Sequence, residues 1–144
     1  MKLAAALFLF ASSLSASLSA SAAGTHACGA LDSISALIGS TKTVDNVKLA
    51  YVSTEEPAAA PDHLLVFVYD KEMGVTCTAI SRDEQGNGFG YVNMATLKSV
   101  SYDSKSGRLF EITVNEPSYD GDSGKPVKIH FRTNSITGAV TLEK

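Results

Sequence analysis

Apolar residues recur along this chain in three rhythms. The first is an unbroken run from Leu3 to Ala11, preceded by Lys2 and followed by a Ser/Ala-rich stretch that ends in small residues. One cation, a short apolar core and a small-residue exit make the pattern of a secretory signal peptide, and Ala20-Ser21-Ala22 supplies the A-x-A form for cleavage after Ala22, with a cut after Ala23 as the near alternative. The run is well short of the ~20 residues that span a bilayer, and no later stretch reaches that length, so no membrane insertion is expected.

The second rhythm is a spacing of three and four. Leu31, Ile34, Leu37 and Ile38 share one helical face and Gly39 comes next, which predicts a short amphipathic helix of about three turns beginning at Cys28. The third rhythm has period two and fills the rest of the chain. Val47, Leu49 and Tyr51 alternate with Lys48 and Ala50, and the acidic stretch Thr54 to Pro61, broken by Pro57 and Pro61, then reads as a surface loop. His63 to Asp70 and Gly74 to Ser81 are apolar runs rich in β-formers that predict a hairpin near the sheet centre.

Asp83 to Gly90 is a glycine-rich polar loop, and Leu97 to Tyr102 a weaker strand or a helix-to-strand passage. Phe110, Ile112 and Val114 alternate after the turn Asp103 to Gly107. Val127, Ile129 and Phe131 alternate after the loop Glu116 to Pro126, and Val140 and Leu142 come after the turn Asn134 to Gly138. The expected fold class is therefore α+β: an antiparallel meander of about six or seven strands with one short N-terminal helix, or a small sandwich or barrel with that helix at one end. Residues 1–22 form the signal peptide and residues 23–144 a single small β-rich domain.

Composition narrows the partners. Loss of Lys2 with the leader leaves 11 cations against 15 carboxylates, a formal charge of −4. No basic segment offers the footprint that phosphate binding needs, so nucleic acid is not an expected partner. In an exported chain, Cys28 and Cys77 are most simply a disulfide, here one that pins the helix to the sheet, and the expected location is periplasmic or extracellular.

Candidate chemistry concentrates in one loop. Gly121 to Val127 reads GDSGKPV, which resembles the nucleophile motif of chymotrypsin-like proteases at every position but Lys125. That family needs a His general base, an orienting Asp and two β-barrels. His26 and His63 precede Ser123 without the matching context, and 122 residues build at most one barrel, so no catalytic residue is assigned. Asp120 and Asp122 ahead of Gly124 are similar to the first half of a calcium loop. Lys125 and Pro126 stand where further ligands would be needed, Glu116 or Asp83 with Glu84 being the available completions, and neither metal nor cofactor is assigned. His130, Lys128 and Arg132 share one strand face, which an antiparallel sheet requires to be polar in any case. Tyr91, Tyr102 and Tyr119 lie in or beside loops, where exposed tyrosines suit binding surfaces.

A polar loop on a small, rigid β scaffold predicts a secreted or periplasmic binding protein whose partner is another protein, in the manner of an inhibitor or immunity protein. Its binding residues would be Tyr119, Asp120, Asp122, Ser123 and Lys125. The alternatives are a small secreted hydrolase, metal-assisted through Asp120 and Asp122, and an envelope structural component.

Overall fold

A computed structural model describes residues 23–28, 37–53, 61–70, 72, 74–118 and 124–143. The expected signal peptide at residues 1–22, Leu31 and Ile34 of the expected helix, and the stretch Thr54 to Ala60 lie outside these residues. Nine strands are described: β1 (Gly24–Ala27), β2 (Leu37–Val44), β3 (Val47–Ser53), β4 (Asp62–Asp70), β5 (Gly74–Ser81), β6 (Tyr91–Asp103), β7 (Gly107–Asn115), β8 (Pro126–Thr133) and β9 (Val140–Glu143). They form two antiparallel sheets, in the orders β1-β5-β4-β3-β2 and β6-β7-β8-β9. The α+β expectation is thereby corrected: the described residues contain no α-helix, and the protein is a two-sheet β structure rather than one meander with a helix.

The physical reason lies in the residues just past the helical spacing. Leu37 and Ile38 do not close a helix but open β2, whose remaining sequence, Gly39-Ser40-Thr41-Lys42-Thr43-Val44, is weak in a helix and rich in β-branched residues. β2 pairs with β3 from Leu37↔Ser53 to Val44↔Val47 across the two-residue turn Asp45-Asn46, with a bulge between Ile38 and Ser40. Asp45 takes the left-handed backbone region there, at φ 53°.

The expected hairpin of β4 and β5 is present, with β4 third of the five strands. Leu49, Leu64, Val66, Val68 and Ile80 on its inner side pack against Phe110, Ile112, Val114 and Phe131 of the second sheet, with Phe89 in the connection between the sheets. Phe110 and Phe131 are cross-strand partners whose rings stack at 5.2 Å. β6 departs from β7 between Asn93 and Lys98. The Thr96 hydroxyl mends the ladder there, accepting from the Thr113 N–H and donating to the Asn93 carbonyl, both at 2.8 Å, and Leu97 is buried.

Cys28 and Cys77 form the disulfide, with Cα atoms 5.5 Å apart. Its setting differs from expectation. β1 pairs with β5 from Gly24↔Ser81 to Ala27↔Thr78, and the next step of that register sets Cys28 opposite Cys77. The bond fastens the short strand β1 to its neighbour β5, and residues 29–36 of the expected helix lie outside the described residues.

Candidate functional site

β7 and β8 run together as far as Asn115↔Pro126, and one further bond, Glu116 N–H to the Lys125 carbonyl at 2.9 Å, closes the neck of the loop between them. Two glycines grip the Glu116 peptide at this neck. A Cβ on Gly90 would lie 2.6 Å from the Glu116 carbonyl oxygen, and one on Gly124, which has φ +68°, would collide with the same atom. Lys125 is exposed on the neck. Tyr119, Asp120, Asp122 and Ser123 lie outside the described residues, as does the GDSG segment apart from Gly124. The structure thus places the base of the predicted loop and one of its five predicted binding residues.

Beside the neck, between the two sheets, is a cleft of about 360 Å³. Phe89, Val114, Val127, Ile129 and Leu142 give it an apolar floor, Ala23 and Arg82 line it from the first sheet, and Glu116, Lys128 and His130 come from the second. The alternation read from the sequence sets Val127 and Ile129 on one face of β8. Ile129 is buried, but Val127, paired with buried Val114, is 36 % exposed because the sheets part at this point.

The wall on the first sheet is held by Asp83. Its Oδ1 accepts from the N–H groups of Gln85 and Asn87 at 3.1 and 3.0 Å, and its Oδ2 from Asn87 Nδ2 at 2.8 Å and Arg82 Nη2 at 3.1 Å. Burial pushes this carboxyl up, but the Asn87 and Arg82 donors outweigh burial and hold it below the usual carboxylate range. Its oxygens organise the Asp83 to Gly90 loop, which is a structural duty rather than a ligand's. The Arg82 Nε is buried without a hydrogen-bond partner.

His26 and His63 are placed by the first sheet. His63 Nδ1 lies 3.2 Å from Ser81 Oγ, and His26 Nε2 lies 3.2 Å from the Asp83 carbonyl. Burial, and then the nearby His26, lower the pKa of His63. The second buried ionisable group on this sheet is Asp62. Burial raises its pKa, while hydrogen bonds from Ser53, Tyr51 and the Val92 backbone oppose the rise. On the second sheet, Lys128 and His130 meet a carboxylate: Glu111 lies 3.3 Å from Lys128, 2.9 Å from His130 and 2.9 Å from Lys98. Arg132 pairs with Glu143 at 2.6 Å. This face is an interlocked charge cluster, and its cations already have carboxylate partners. Tyr91 and Tyr102 are both exposed, Tyr102 to 64 %.

Among the described residues no three His, Cys, Asp or Glu side chains are grouped to hold a metal ion. No family model, curated protein or solved structure matches this chain.

Proposed function

We propose that this is an exported binding protein that takes another protein at the end of the sandwich where the loop after Glu116 leaves its neck beside the apolar cleft. The observation that carries the reading is the neck. A loop whose base is fixed by a ladder, a closing hydrogen bond and two glycine contacts starts from ends that are already ordered, which lowers what an inhibitor or immunity protein loses on binding. An apolar cleft with a few polar groups at its rim is the other ordinary component of a recognition site. The disulfide accords with an oxidising compartment outside the cytoplasm.

The test is capture. The oxidised protein and a Tyr119→Ala, Asp122→Ala double variant are immobilised, and extracellular and envelope extracts are passed over both. A single protein retained by the unmutated column and lost from the variant is the expected result. Retention of nothing, or equal retention by both columns, overturns the assignment to this loop. A rise in melting temperature in millimolar calcium would favour the metal-assisted hydrolase instead, because a ligand that binds only the folded state must stabilise it.

A further inference from the structure

The cleft lies beside the first half of β8. β9 pairs with β8 only from His130↔Glu143 to Thr133↔Val140, so among the described residues the first half of β8 is flanked by β7 alone. Two hydrogen bonds fix which backbone groups face that side. The Lys125 carbonyl points to β7, since it accepts from Glu116, and the Asn134 N–H points to the β9 side, since it donates to the Ala139 carbonyl. Alternation along an antiparallel ladder then sends residues 127, 129, 131 and 133 to β7, and 126, 128, 130 and 132 to β9. The N–H and C=O of Lys128 and the C=O of Pro126 face the unpaired side. Proline, which has no N–H to offer, stands at a position where none is used.

We propose that this edge, with the cleft under it, takes an extended segment of the partner protein as an added strand. The inference rests on the binding function above and names its mode. Lys128 supplies one N–H and one C=O to the added backbone. Side chains at alternate positions of that segment enter the cleft over Val114, Val127 and Leu142, so the segment recognised is one with apolar residues at every second position. Two features thus share one explanation: a backbone edge that no described strand covers and an inward-facing valine left partly exposed.

The probe is the peptide Ac-Lys-Val-Thr-Val-Glu-Val-amide, titrated into isotope-labelled protein and monitored by NMR. Shifts are expected at the Lys128 amide and at the Val114, Val127 and Leu142 methyls. N-methylation of the peptide's threonine, which stands opposite Lys128 in an antiparallel addition when the valines face the cleft, should weaken binding about fivefold, the loss of roughly one hydrogen bond. The variant Lys128→Pro removes the outward N–H without touching the β7 ladder and should bind about fivefold more weakly than Lys128→Ala, which controls for the lost ion pair with Glu111. No shift at these residues up to millimolar peptide overturns the proposal, as does equal binding by the methylated peptide or by the proline variant. Failure of the function itself is read separately: if the unmutated column captures nothing, the binding reading falls whatever the peptide does. Capture as strong in Lys128→Pro as in Lys128→Ala refutes the added strand and leaves the loop reading intact.

Discussion

Glu111 and His63 set the response of this protein to acid from opposite sides of the sandwich. The Lys98 ammonium first, then His130 and Lys128, hold the Glu111 carboxyl down at about 2, against an ordinary 4.5. A carboxylate with a depressed folded pKa contributes stability above its unfolded pKa and loses it as pH falls through the folded value. Glu111 therefore acts in the window from about pH 4.5 to 2. The His63 pKa is lowered from 6.5 by burial and then by His26, so its neutral form is the folded one, and stability is lost as pH falls below about 6.5. Urea melts over this range should show two declines. Glu111→Gln is expected to flatten the lower one and His63→Gln the upper one, while an unchanged slope in either variant would remove that residue as the cause. Gly107 makes a sharper case, because its φ is +88° and a Cβ there would strike the Thr133 carbonyl. Gly107→Ala should cost about 1–3 kcal/mol in chemical denaturation, from backbone strain and displacement of the β8–β9 turn.

At the scale of elements the disulfide is the strongest constraint on β1, a four-residue edge strand. Cys28 and Cys77 are 49 positions apart, and closing such a loop is worth on the order of 4 kcal/mol in the chain-entropy account. The double variant Cys28→Ser, Cys77→Ser should lose about that much at most, and hydrogen exchange should rise first at Thr25, Ala27 and Thr78, where β1 meets β5. Fast exchange in β2 instead would argue that the bond holds something other than this edge. Strands β3, β7, β8 and β9 were legible by their alternation and β4 and β5 as apolar runs rich in β-formers, with Gly, Asp or Asn marking most of the turns between them. β2 was misread because Leu31, Ile34, Leu37 and Ile38 satisfy a helical spacing that stops short of the β-branched half. The signal that could have found it is local: Thr43-Val44 before Asp45-Asn46-Val47, a turn pair between apolar residues. β1 carried no such signal, since four residues with one glycine acquire a strand's shape only from the partner they pair with. The cleft was not legible either, because the exposure of a core-facing Val127 depends on where β9 ends and on how the two sheets meet.

The whole molecule has two lateral sides that are closed differently. On the side of β2 and β6, Lys42 reaches inward and its Nζ donates to the Leu97 carbonyl at 2.8 Å, while Arg108 of β7 reaches Asp45 of the β2–β3 turn at 2.6 Å. An inward-pointing lysine on an edge strand also deters other chains from pairing with it. On the side of β1 and β9, the cleft occupies the gap, and among the described residues β9 covers only the second half of β8. The two sheets should therefore part from the β1 and β9 side first, with the β2 and β6 side as the hinge. Native-state hydrogen exchange measures this order, since local openings span free energies from near zero up to that of global unfolding. Amides of β1 and β9 should exchange through an opening that leaves those of β2 and β3 protected. Lys42→Met keeps most of the apolar stem but strands the Leu97 carbonyl, which should cost about 1–3 kcal/mol. It should also bring the exchange of β2 toward that of β1. If β2 instead keeps its protection in that variant, the lysine is not the latch, and packing of Leu97 into the core must hold that side shut.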